Sequence, residues 1–237
     1  MAVSIGSAPS ATRGMQKREA VIDLYTYETP NGQKASVMLE EVGVPYVVHG
    51  VDLMKGEQRA PDFLRISPNN KIPAIVDDEG PDGPTTIFES GAILVYLGEK
   101  TGKLLPANGR ARPEILQWLF WAMSGVGPGI GRFAGTALFS RDPDPALVRS
   151  LSEEVVRLFT VLDKRLSEVE YLAGDYSIAD IGAFTWIHYI RQPITKYAAL
   201  PPVAATDRWL ASISARPAVQ KGLRVPRSAV RPPRGRM

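Results

Sequence analysis

Hydrophobic positions along the first hundred residues switch twice between strand and helix periodicity. Residues 21–25, Val-Ile-Asp-Leu-Tyr, have the makeup of a buried strand, and 34–42 carries Val37, Met38 and Val42 at helical spacing. Between them Pro30-Asn31-Gly32 reads as a turn, and Gly43 sits where a helix C′ glycine belongs. Residues 46–51 supply a second strand, which the intervening helix makes parallel to the first. A short helix fits 61–66. Segments 74–76 and 86–88 then read as a hairpin around an acidic, Gly/Pro-rich turn at 77–84, and 91–100 closes the unit with Ile93, Leu94 and Leu97 on one face.

The order βαβ followed by ββα is the thioredoxin-like arrangement. After Lys103-Leu104-Leu105-Pro106 only helical periodicity is present: 114–125, a glycine-rich break at 125–131, then 145–168, 178–191 and 203–215. Ser177-Ile178-Ala179-Asp180 is a capping box, with Tyr176 placed to staple onto Ile181, and its role is structural. The expected fold is an α/β thioredoxin-like N-terminal domain followed by an all-α helical domain. Its divisions are a flexible N-terminal tail at 1–19, the α/β domain at 20–102, a linker at 103–112, the helical domain at 113–220 and a flexible basic tail at 221–237.

Composition narrows the chemistry. The 237 residues are 44% hydrophobic, sufficient for two modest cores. No apolar run reaches the length of a membrane span and no secretory signal is evident. Cysteine is absent, which removes protein disulfides and thiolate nucleophiles and makes the cytoplasm the expected compartment. With only His49 and His188, a zinc site or histidine triad is not expected, and the site is read as metal-free. His188 reads as a packed helix histidine and His49 as an exposed strand residue. The formal charge of +3 is a property of the end of the chain, because Lys221, Arg224, Arg227, Arg231, Arg234 and Arg236 stand there without an acid. A solvated tail is the expected reading, with no specific nucleic-acid partner.

Two short segments carry the candidate chemistry. Asn69-Asn70-Lys71-Ile72-Pro73 places a proline between a polar loop and an apolar strand, a setting for a cis X-Pro bond. Such a turn frees the Ile72 N–H and C=O to pair with an extended ligand. Sixteen residues on, Glu89-Ser90 opens a helix: the Ser90 N–H, its hydroxyl and the helix dipole favour a carboxylate, while Glu89 can accept from an ammonium group. Alone, each segment also fits a strand-start proline or a helix cap. A small molecule offering peptide backbone, carboxylate and α-amino group together is glutathione.

These residues, with Thr29-Pro30-Asn31-Gly32-Gln33-Lys34, Val51-Asp52-Leu53-Met54-Lys55-Gly56-Glu57-Gln58 and Gln117-Trp118-Leu119-Phe120-Trp121, resemble the glutathione transferase superfamily over 21–218, and within it the Nu-class bacterial enzymes and their yeast nitrogen-regulator relatives. The resemblance implies a homodimer that uses glutathione to reduce small or mixed disulfides. Thr29 and Asn31 then face the glutathione sulfur as the catalytic pair. Gln58 meets the glycine carboxylate end, Lys71, Ile72 and Pro73 line the backbone-pairing loop, Glu89 and Ser90 hold the γ-glutamyl end, and Arg149 of the long helix adds a contact. Tyr25 reads as a core residue and Tyr27 as an alternative thiol activator. Trp118, Phe120, Trp121, Phe133, Phe139 and Trp186 are candidates for a wall around the second substrate. Conjugation of electrophiles, or a noncatalytic binding role, are the alternatives.

Overall fold

The computed structural model describes residues 22–226. The expected N-terminal tail, and the arginines from Arg227 onward, lie outside the described residues. Strands β1 (Ile22–Thr26), β2 (Tyr46–Gly50), β3 (Ala74–Asp77) and β4 (Thr85–Phe88) form one sheet in the order β2-β1-β3-β4. β1 runs parallel to β2, with Leu24 opposite Val48, and antiparallel to β3, which pairs in turn with β4. Helices α1 (Pro30–Val42) and α3 (Ser90–Thr101) cover one face, where Leu24 and Ile75 meet Met38, Leu39, Ile93 and Leu94. α2 (Pro61–Ile66) lies on the other face, over a smaller cluster of Val51, Phe63 and Ile72 with Tyr25 and Tyr27 against it. The period-two pattern of β1 therefore separates two cores, and Tyr25 belongs to the minor one, where its ring stacks on His49 at 4.6 Å.

The helical half comprises α4 (Ala111–Trp121), a single π turn (Ala122–Val126), α5 (Gly127–Ala137), α6 (Pro145–Glu168), α7 (Ile178–Ile190), α8 (Ala204–Ser214) and α9 (Pro217–Gly222). Hydrophobic almost all round, α7 is the buried centre of this half. Its capping box is formed as expected, and Asp180 serves more than the cap. Oδ2 accepts from the Ser177 N–H and hydroxyl, while Oδ1 accepts from the Leu172 N–H and Trp209 Nε1. Burial raises its pKa to about 6 against these four bonds. The adjacent Tyr176 ring lies 3.9 Å beneath the Arg216 guanidinium. Among the described residues no helix is long and apolar enough to cross a membrane.

Two segments differ from expectation. The glycine-rich stretch 125–131 is helical throughout, so the expected break is a continuation of α4 through the π turn into α5. Glycine lowers helix propensity, but packing prevails here: a Cβ on Gly129 would approach Leu158 Cδ1 to 3.1 Å, and one on Gly131 would reach the Trp186 ring at 3.4 Å. Residues 221–226, assigned to a solvated tail, instead pack on the α/β domain. Ser36 Oγ donates to the Gly222 carbonyl (2.8 Å), Gln33 Nε2 to that of Leu223 (3.1 Å), and Lys221 pairs with Glu40. Only glycine fits at 222, since a Cβ there would lie 2.5 Å from Val37 Cα.

The same interface holds a bidentate ion pair between Arg216 and Glu41 at 2.7 and 2.8 Å, with the Glu41 side chain 6% exposed. Arg216→Ala would strand that carboxylate away from water. A loss of about 2 kcal/mol in unfolding free energy is expected, below the range for fully enclosed pairs because Arg216 is partly open to solvent. Chemical denaturation of the variant checks it.

Candidate functional site

The N-terminus of α1 is built from local rules. Thr29 is the N-cap, extended at φ −134°, ψ 158°, and its Oγ1 accepts from the Gly32 N–H at 3.1 Å. Pro30 occupies N1, where its fixed φ suits the helix and its missing N–H costs nothing. Asn31 is therefore within the first turn rather than in a preceding loop. Gly32 is required for close approach, because a Cβ would sit 2.2 Å from the Tyr27 carbonyl oxygen. Thr29 keeps its hydroxyl hydrogen available while acting as an acceptor.

Asn31 faces a cleft of about 450 Å³ between the two domains, lined also by Lys34, Glu89, Ser90, Met123, Gly127, Pro128, Gly131, Arg132 and Trp186. Asn31 Oδ1 accepts from Lys34 Nζ (3.0 Å) and from Trp186 Nε1 (2.9 Å). Ser90 Oγ and Lys34 Nζ both approach Met123 Sδ, at 3.7 and 3.8 Å. Met123 is delivered by the π turn, an irregularity that recurs at functional sites. The second of the two sequence signatures joins the first through Asn69 Nδ2, which donates to Glu89 Oε1 at 3.1 Å. Glu89 itself stands at φ 71°, a conformation that a non-glycine residue keeps only where its surroundings enforce it. It delivers Ser90, 7% exposed, as the first residue of α3.

Lys34 is the outlier of the site. Its side chain is 1% exposed, and burial drives its pKa from 10.5 down to about 7, with Glu89 opposing the shift. An ammonium group without a close carboxylate is costly in such a place. The cleft thus holds a cation that is readily discharged and a second one, Arg132, at its margin.

The remaining sequence candidates are dispersed. Thr29 borders a neighbouring depression with Pro30, Gln33, Tyr189 and Arg224. The Ile72-Pro73 bond is cis, and no hydrogen bond within the described residues uses the Ile72 N–H or C=O. Lys71 is exposed, and its carbonyl accepts from Ser67 Oγ. Gln58 Oε1 is enclosed without a hydrogen-bond partner among the described residues. Arg149 is exposed on α6 and does not line the Asn31 cleft, where Arg132 of α5 is the arginine present. Tyr27 packs on the minor cluster, and burial with nearby Asp52 and Glu28 raises its phenol pKa. Of the six aromatic candidates Trp186 lines the cleft, Phe133 is in the core, and Phe120 and Phe139 are exposed. His188 is exposed with one face stacked on Phe184, and His49 bonds Asp23 at 2.7 Å.

A thioredoxin-like domain docked on a helical domain, with a polar cleft at the seam, is the glutathione transferase architecture. Family models for the glutathione S-transferase N-terminal and C-terminal domains match residues 29–100 and 127–217. Disulfide-bond oxidoreductase YfcG of Escherichia coli is 45% identical over 207 residues, covering 86% of this chain and 94% of that protein. Among solved structures, a glutathione transferase of Burkholderia graminis with two glutathione molecules per subunit has a TM-score of 0.82 at 42% identity, covering 86% of this chain and 88% of that one. One of Pseudomonas putida with a bound glutathione disulfide has a TM-score of 0.84 at 40% identity, covering 89% and 94%. The chain belongs to the glutathione S-transferase family.

Proposed function

We propose that this protein is a glutathione-dependent thiol–disulfide oxidoreductase of the Nu class, a cytoplasmic homodimer that reduces small or mixed disulfides. The observation carrying this reading is the cleft at the α1 N-terminus, which gathers Asn31, Lys34, Glu89 and Ser90 in a chain devoid of cysteine. With no protein thiol, both reacting sulfurs must come from substrates, and the residues supply position and charge. One glutathione thiolate attacks the disulfide, forming a mixed disulfide and releasing one thiol. A second thiolate resolves it to glutathione disulfide and the second thiol, so two glutathiones are oxidised for each disulfide reduced. The similar structures with two glutathiones or a glutathione disulfide support that stoichiometry.

The residues fit this substrate. Ser90, at the N-terminus of α3, and Glu89 match the carboxylate and ammonium of a γ-glutamyl group. The unused Ile72 backbone groups match a peptide, and the Gln58 amide NH₂ is the group suited to the glycine carboxylate end. Thr29, Asn31 and the α1 dipole favour a sulfur anion. Lys34 and Arg132 strengthen that preference, and Arg149 is left outside the assignment.

Conjugation of glutathione to an electrophile is the second reading, favoured by the open aromatic side of the cleft at Trp186. Parallel assays with hydroxyethyl disulfide and chlorodinitrobenzene decide between them. The expected result is disulfide turnover well above conjugation; the reverse order favours an ordinary transferase, and silence in both, with a rise in Tm on adding glutathione, favours a noncatalytic binding protein.

A further inference from the structure

The Asn31 carboxamide is gripped from both domains, by Lys34 Nζ one turn along α1 and by Trp186 Nε1 from α7. Both groups are donors, so both must meet the amide oxygen. Rotation of the amide by half a turn would set its NH₂ against two donors and lose both bonds. The terminal torsion of asparagine is otherwise broad and nearly two-fold, so these contacts decide which end is left for a ligand. With Oδ1 committed, Nδ2 has no partner among the described residues. The indole has little freedom to swing away, because it lies against Gly127 and Gly131, where an added Cβ would come within 3.5 and 3.4 Å of it.

We infer that Lys34 and Trp186 are positioning residues that lock the Asn31 amide with its NH₂ donors, not its oxygen, presented to the reacting sulfur; this rests on the reading of Asn31 given above. An amide oxygen turned toward a thiolate would repel the charge that an NH₂ group stabilises. The helical domain therefore takes part in activating a thiol bound mainly by the α/β domain.

Turnover of hydroxyethyl disulfide at saturating glutathione tests this in wild type, Trp186→Phe, Asn31→Ala and the double variant. Trp186→Phe removes the N–H and keeps an aromatic ring. It is expected to lower kcat about tenfold, the worth of one such bond, with KM for glutathione within about twofold of wild type. In the Asn31→Ala background the same change is expected to have no further effect. Wild-type kcat in Trp186→Phe, or an equal loss in the Asn31→Ala background, overturns the inference while leaving the role of Asn31 intact. Wild-type turnover in Asn31→Ala overturns that role and the inference with it. Lys34→Met in the same two backgrounds probes the other donor: it should lower kcat by more in wild type than in Asn31→Ala, where only the loss of its charge remains, and an equal loss in both overturns its positioning role.

Discussion

Thr29→Ala is expected to lower glutathione-dependent disulfide turnover on the order of 100-fold. Removing one preorganised donor from a developing anion typically costs that much or more, and Thr29 is the hydroxyl at the head of α1. Thiols ionise near pH 8.5 without assistance, so a lost donor also shifts the thiolate fraction at neutral pH. The cap contributes separately: without the acceptor for the Gly32 N–H, stability should fall by about 1 kcal/mol. Thr29→Ser retains the hydroxyl and should restore most of both quantities. Ultraviolet absorbance of the bound thiolate against pH reads the ionisation directly. An unchanged thiol titration in Thr29→Ala would remove Thr29 from the sulfur, whatever happened to stability.

The second large effect runs against intuition. Lys34→Met should make the protein more stable and less active. Lys34 is unfolded with a pKa of 10.5 and folded with one of about 7, so between those values the unfolded chain binds the additional proton. Stability contributed by this group therefore rises from pH 7 toward pH 10.5, and below pH 7 the cost of the enclosed ammonium is complete. Every pH unit by which ionisation is displaced corresponds to about 1.4 kcal/mol, from which the variant forfeits the bond to Asn31, worth about 1 kcal/mol. Allowing for relaxation around the charge, a net gain of about 2 kcal/mol at pH 7 is expected. For a protein of this size that is a rise of roughly 4–8 °C in Tm. The gain should shrink steadily in melts at higher pH. A variant less stable than wild type at pH 7 would mean that the ammonium is well solvated.

The sequence exposed the frame of this fold because its main signals are local. The Ser177–Asp180 capping box, the β1 alternation, the Gly43 terminator and the Glu89-Ser90 helix start depend on near neighbours. The first turn of α1 was harder to read: Pro30-Asn31-Gly32 has turn chemistry, and only the Thr29 cap and the permissive N1 position make it helical. The glycines of 125–131 have the local signature of a break, yet they answer to Leu158 and Trp186, more than 25 positions away. Lys34 and Arg132 carry no local sign of belonging to the cleft, for a related reason. A lysine in an amphipathic helix is ordinarily solvated, and nothing within the 34–42 pattern reveals that α3, the π turn and α7 close over it. Arg149 stands early in the long helix, where the resemblance implies a site arginine, but α6 leaves it exposed and away from the Asn31 cleft.

The packing of α9 on α1 sets a schedule for biosynthesis. Ser36 and Gly222 are separated by 186 positions, yet the face of α1 bearing Ser36 and Val37 is covered only when Gly222 arrives. A nascent chain can assemble its sheet and α1 early, but the α1 flank around Ser36 and Val37 lacks its cover through synthesis of the whole helical domain. Chains interrupted before α9 would carry the complete Asn31–Trp186 seam and still expose this flank, a mark by which quality control could tell them from finished protein.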